Sequence, residues 1–223
     1  MDIIETCAHL SLAVYSETVP DNVGVIGYER ISDRKTETFG MAYITADNLY
    51  LVFRGSQNKK HWLSNFKILK KNHFGIRAHK GFSEASESVM DQVRSLIAEF
   101  PNQTPVLSGH SLGGAIAVLV AVALRPAPIK VITFGQPRVS TTAELRLALY
   151  GEYLRVVNGS DVVPRKPMLG YSHAGSLLYL SNRQKKLMDP GSVFRFFDRL
   201  PTLFQRVSDH DMVDCMMEYE RCV

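Results

Sequence analysis

The chain is predicted to fold as an α/β protein with a central, mostly parallel β-sheet flanked by helices. Two observations predict it. Short apolar runs rich in β-branched and aromatic residues alternate with helical patterns along most of the 223 residues. At Thr104–Leu124 an apolar strand turns through Gly109-His110-Ser111-Leu112-Gly113 directly into a helix without a single charge. A helix that is apolar all round is a buried one, as expected beside a sheet covered on both faces.

The elements follow in order. Apolar residues at Ile3, Ile4, Cys7, Leu10, Leu12 and Val14 predict a helix over 3–15, opened by Asp2. Val19-Pro20-Asp21-Asn22 is a turn. Val23–Ile31, Phe39–Thr45 and Leu49–Phe53 read as strands, joined by polar turns and suited to antiparallel pairing. Trp62, Phe66 and Leu69 form one narrow apolar stripe at helical spacing, with Ser64, Lys67 and Lys71 facing away. A long helix is expected over 83–100, with Ser86, Glu87 and Asp91 outward and Val89, Val93, Leu96 and Ile97 inward. After the buried helix come a strand at 130–134, a helix at 141–149, a strand at 153–157 and a final strand at 176–180. Gly191–Val207 carries Val193, Phe196, Phe197, Leu200, Leu203, Phe204 and Val207 on one helical face, broken at Pro201. That segment either closes the core or forms a second wall of an acyl-binding cleft. There are no repeats or linkers, so one domain over 1–223 is expected.

Composition narrows the class. Hydrophobic content is 45% and charge 22%, as in ordinary globular proteins. No run reaches the roughly 18 apolar residues of a membrane span. The N-terminus has no basic n-region and carries Asp2 and Glu5. A cytoplasmic protein, or a leaderless or trimmed secreted form, is therefore expected. The three cysteines, Cys7, Cys215 and Cys222, form no C-x-x-C. They are expected as thiols, a Cys7–Cys222 staple being the alternative. Residues 58–80 hold seven lysines and arginines and no acid, within a chain of net charge +4, so the remainder is net acidic. The asymmetry points to an anionic partner for that one segment, such as lipid headgroups, rather than to nucleic acid.

The chemistry centres on Gly109-His110-Ser111-Leu112-Gly113, a G-x-S-x-G nucleophile elbow between strand and helix. A serine there needs a base, and the base needs an orienting acid, in chain order Ser, Asp, His. Asp161 follows a strand end within Asn158-Gly159-Ser160-Asp161; Asp189, Asp198, Asp209 and Asp211 do not. His210 lies after the last expected strand, whereas His173 lies before it, on the wrong end of a parallel strand for catalysis. His110 is expected to support the turn by hydrogen bonds, and His79 to pack. Arg54-Gly55-Ser56 ends the third strand, where a second oxyanion donor belongs beside the Leu112 N–H. No His or Cys pair has metal-ligand spacing with an acidic third member, and the reaction needs no cofactor.

Eight motifs in order resemble the class 3 (fungal-type) lipases, which are α/β-hydrolases. They are V-F-R-G-S at 52–56, H-W-L-S-N-F at 61–66, H-K-G-F at 79–82, G-H-S-L-G-G at 109–114, F-G-Q-P-R-V at 134–139, V-N-G-S-D-V-V-P at 157–164, H-A-G at 173–175 and D-H-D-M at 209–212. The resemblance implies Ser111 as nucleophile, Asp161 as acid and His210 as base, with Ser56 and Leu112 at the oxyanion hole. It implies a short helical lid near 58–70, bearing Trp62, Phe66 and Leu69. The sequence departs from the family pattern at Asn58, Asn65-Phe66 and Ser140. The expected activity is hydrolysis of lipid esters, most of all acylglycerols, at a lipid–water interface. The alternatives are phospholipase A1-type action on anionic phospholipids and a non-catalytic binding scaffold.

Overall fold

A computed structural model describes residues 1–56, 69–149, 151–159 and 161–199, together with 210, 212, 213 and 219. Trp62, Phe66 and most of the expected lid lie outside the described residues, as do Cys215, Cys222 and the second half of the Phe-rich segment.

Eight strands form one sheet in the order β1-β2-β3-β6-β7-β8-β9-β10. These are β1 (Gly27–Asp33), β2 (Thr38–Ile44), β3 (Asn48–Phe53), β6 (Thr104–His110), β7 (Lys130–Phe134), β8 (Tyr153–Asn158), β9 (Ser176–Ser181) and β10 (Lys185–Met188). β3, β6, β7, β8 and β9 run parallel, while β1, β2 and β10 are antiparallel additions at the two edges.

Side chains alternate across the sheet, and each face buries its own set. From β3, Leu49, Leu51 and Phe53 join one core, which is covered by α2 (Lys80–Glu87), α3 (Met90–Glu99), α4 (Leu112–Ala123) and α5 (Thr142–Ala148). Tyr50 and Val52 join the opposite core, under α1 (Ile3–Ser16). α1 starts where Asp2 accepts the Glu5 N–H at 2.7 Å. It ends with Glu17 in the left-handed conformation. In α4, ten consecutive residues from Gly113 to Val122 are buried.

Several expectations shift. β1 begins at Gly27 rather than Val23, because Asp21–Val23 is a 3₁₀ turn closed by Gly24 at φ 68°. The helix expected over 83–100 is two helices broken at Ser88–Val89. Ser83, Ser86 and Ser88 donate their hydroxyls back to the carbonyls of His79, Ser83 and Ala85, a competition that weakens a helix interior. Ser86 is thus buried, not outward. A hairpin, β4 (Lys70–His73) with β5 (Ile76–His79), occupies the end of the basic segment. Leu69 stands just before it, exposed and outside any helix, and Lys71 lies in β4, so the helical stripe does not extend to them. Lys71 pairs with Glu87 at 2.6 Å, and Lys70 donates to the Gly170 carbonyl over the Tyr171 ring. β9 is not the last strand: Asn182-Arg183-Gln184 turns the chain into β10. In α6 (Ser192–Arg199), Phe196 of the expected apolar face is exposed, while the side chains of Val193 and Phe197 and the rest of that face lie outside the described residues. Cys7 is a buried free thiol, which burial pushes up to about 12.

Candidate active site

Three parallel strands deliver their carboxyl ends to one place. β3 leads into Arg54-Gly55-Ser56, β6 into Ser111, and β8 into the loop holding Asp161. This is where open α/β sheets gather their sites.

The elbow is built by close backbone contact. Ser111 has φ 55° and ψ −123°, a conformation that costs a non-glycine residue on the order of 1–3 kcal/mol. The glycines around it make the turn possible. A Cβ on Gly109 would lie 2.5 Å from the Gly113 carbonyl carbon, and one on Gly113 would overlap the Phe53 carbonyl. The Ser111 N–H donates to the Phe134 carbonyl at 2.9 Å, which ties the turn to β7. Because α4 begins at Leu112, its first-turn N–H groups have no acceptor within the helix. Their dipole favours negative charge at that end.

A hydroxyl, an imidazole and a carboxylate stand in line at the elbow. His210 Nε2 lies 2.8 Å from Ser111 Oγ, and His210 Nδ1 lies 2.8 Å from Asp161 Oδ2. All three side chains are buried. An ionised carboxylate only accepts, so Nδ1–H donates to Asp161 and the Nε2 lone pair faces the serine hydroxyl. The other oxygen of Asp161, Oδ1, accepts the Val163 N–H at 2.8 Å. Such a line can remove the proton from Ser111 as its oxygen attacks an ester carbonyl.

Gly135, from the F-G-Q-P-R-V motif, adopts φ 55° directly against this pair. A Cβ there would lie 2.9 Å from Asp161 Oδ2 and 3.0 Å from His210 Nδ1. Gly55 has the same part on the opposite side, since a Cβ on it would lie 3.2 Å from Ser111 Cβ. Ser56 directly follows Gly55, and Leu112 directly follows the nucleophile.

Two features are not evident in the sequence. His110 Nε2 lies 2.8 Å from the His210 carbonyl oxygen, which can only accept; its Nδ1 lies 2.8 Å from Tyr15 Oη. In the neutral ring Nε2–H therefore donates to His210, and the Tyr15 hydroxyl donates to Nδ1. A hydroxyl at the end of α1 thus fixes the backbone that carries His210. His110 supports the turn as expected, while Tyr15 carries no local signal, being an aromatic residue at the end of an amphipathic helix. Behind the elbow, Gln136 Oε1 accepts from Tyr153 Oη at 2.6 Å and from Thr133 Oγ1 at 2.9 Å. Burial pushes the Tyr153 phenol up to about 12.

His173 is not part of this line. Its Nε2 donates to the Pro164 carbonyl at 2.6 Å, and burial, with the Arg155 charge second, depresses its pKa to about 3. His79 packs on Phe82 with ring centroids 4.1 Å apart and accepts the Phe82 N–H, as a packing residue should. Asp198, a rival acid in the sequence, is instead buried against Tyr179 and Ser181.

The family model "Lipase (class 3)" matches residues 50–171. A secreted mono- and diacylglycerol lipase 1 of Fusarium solani is 34% identical over 162 residues, covering 65% of this chain and 49% of the relative. A lipase of Rhizomucor miehei is 29% identical over 152 residues, covering 60% of this chain and 42% of the relative. The chain thus spans about half the length of these curated relatives. A solved structure of the Rhizomucor miehei lipase with its propeptide superposes with a TM-score of 0.75 at 26% identity, covering 93% of this chain and 78% of that one.

Proposed function

This chain belongs to the class 3 lipase family, and from that premise we propose that it is a serine carboxylic-ester hydrolase that cleaves acylglycerols through an acyl-enzyme. In this reading Ser111 attacks the ester carbonyl while His210 takes its proton. The oxyanion is held by the backbone N–H groups of Ser56 and Leu112, at the positive end of α4. His210 returns the proton to the departing alcohol, and water then releases the fatty acid by the same steps in reverse. Asp161 holds the imidazole in the tautomer that can accept, and stabilises its charged form. Residues 58–70, with Trp62, Phe66 and Leu69, are the lid and lipid-facing element of this reading.

The observation that carries it is the buried Ser111–His210–Asp161 line, with both contacts at 2.8 Å, at a strained elbow. It also speaks against a non-catalytic scaffold, which has no need to keep such strain. Phospholipase A1-type action is the second reading, favoured by the cation-rich, acid-free stretch at 58–80. The test compares hydrolysis of a triacylglycerol emulsion with that of anionic phospholipid vesicles, with Ser111→Ala as the blank. Faster release from the emulsion is expected. Faster release from vesicles moves the assignment to phospholipids, and silence on both by folded protein overturns it.

A further inference from the structure

On the face of the sheet that carries α2 to α5, the β8–β9 end encloses a cavity of about 150 Å³. Its wall holds four guanidinium groups, from Arg138, Arg155, Arg165 and Arg195, beside Asp161 and His173. Arg155 is the unexpected one. It shares a strand face with Tyr153 and Val157, where apolar side chains belong, and is 9% exposed. Its Nε donates to the Ala174 carbonyl at 2.9 Å; among the described residues it makes no salt bridge, and the acid that favours its charge is the exposed Asp189. Arg138 donates only to the carbonyls of Pro167 and Met168, and its buried Nε has no acceptor among the described residues. Asp161, the one carboxylate in the wall among the described residues, is already engaged by His210 and the Val163 N–H. His173 contributes no charge, since it stays neutral down to about pH 3.

A buried guanidinium without a salt-bridge partner is costly. The cost registers at both residues: burial, together with the neighbouring arginines, holds Arg155 and Arg138 below the usual guanidinium range. Arg155 and Arg138, with Arg165 and Arg195 in the same wall, bring fork-shaped donors and positive charge of the kind a multiply charged oxyanion needs. A phosphate, with up to two negative charges and several acceptor oxygens, compensates more of this charge than a carboxylate does.

We propose that this arginine-lined cavity beside Asp161 is a binding site for a phosphate group, separate from the oxyanion hole at Ser111. The inference is independent of the proposed ester hydrolysis. Its source is either free phosphate or the phosphate of a glycerolipid headgroup.

The test is calorimetric titration of the full chain with inorganic phosphate and with glycerol 3-phosphate, at ionic strength held constant with chloride. Saturable one-to-one binding is expected, undiminished in Ser111→Ala and weakened at least tenfold in Arg138→Gln and Arg155→Gln. Similar affinities for both ligands identify free phosphate. Tenfold tighter glycerol 3-phosphate identifies the headgroup. Arg155→Gln removes a buried charge, so its unliganded melting temperature should match or exceed that of the parent. Should that variant fail to fold, the half-buried Arg138 carries the test. No saturable binding of either ligand, unchanged affinity in the arginine variants, or loss of binding in Ser111→Ala would overturn the proposal.

Discussion

Asp161 stands between two regions built on opposite electrostatic terms. Toward Ser111 the acid and the base are fully engaged: Oδ2 holds His210, Oδ1 holds the Val163 N–H, and His110 with Tyr15 fixes the His210 backbone. Toward the cavity, Arg138, Arg155, Arg165 and Arg195 share one wall. The first region spends backbone strain to hold one geometry, as a reacting site must. The second keeps Arg155 and the half-buried Arg138 out of water with no salt bridge of their own among the described residues. Burial alone therefore does not separate the two regions; the pairing of the buried acid and base on one side, and of Arg155 and Arg138 on the other, does.

The comparison can be broken most sharply at Asp161 itself. Asp161→Asn keeps the side-chain shape but presents the imidazole with the wrong partner. Turnover should fall by on the order of 10⁴, with little change in melting temperature, as steady-state kinetics beside calorimetry would reveal. A loss of tenfold or less would mean that the carboxylate does not orient the base.

The next effect belongs to the arginine side. His173 is neutral in the folded chain down to about pH 3, whereas an unfolded histidine takes up a proton near pH 6.5. Between those values the unfolded state binds more protons. Stability from this group is therefore complete above pH 6.5 and falls as the pH drops toward 3, by up to about 1.4 kcal/mol per pH unit. Denaturant titrations from pH 7 to 4 should show this slope, and His173→Gln should flatten it. An identical slope in the variant would refute the assignment.

Gly135 joins the two regions from below. Gly135→Ala places a methyl group against both Asp161 and His210 at a positive φ. It should cost about 1–3 kcal/mol of stability and depress kcat on the order of 10² by displacing the pair. Tyr15→Phe is the mildest change. It deletes the hydrogen bond to His110, worth about 1 kcal/mol, which reaches the reacting atoms only through His110 and the His210 backbone. A drop of roughly tenfold or less in kcat, with KM unchanged, is the expected reading; an unchanged kcat would show that the Tyr15 contact does not position His210.

The region around Ser111 was also the legible one. G-x-S-x-G announces a turn only glycine can make, and chain order selects Asp161 and His210, whose side chains meet in the structure. The parallel strands were readable because their apolar residues alternate or run continuously. The β4–β5 hairpin was not, since Lys70-Lys71-Asn72-His73 has no apolar face to alternate. The break at Ser88–Val89 depends on hydroxyls bonding back to carbonyls, which a helical apolar period does not reveal. Tyr15 and the arginine cavity depend on contacts between residues distant in sequence. Tyr15 meets His110 across 95 positions, and Arg155 reads as an ordinary polar residue in a strand until its neighbours are in place.

The central claim is that Ser111 is the nucleophile of this lipase-family chain. Its most direct test is reaction with a serine-directed alkylphosphonate ester, followed by peptide mass spectrometry. The account predicts one equivalent of adduct, located on Ser111, with ester turnover lost in proportion to labelling and no adduct in Ser111→Ala. An adduct on another residue that accompanies the loss of activity, or full activity with Ser111 labelled, would contradict it.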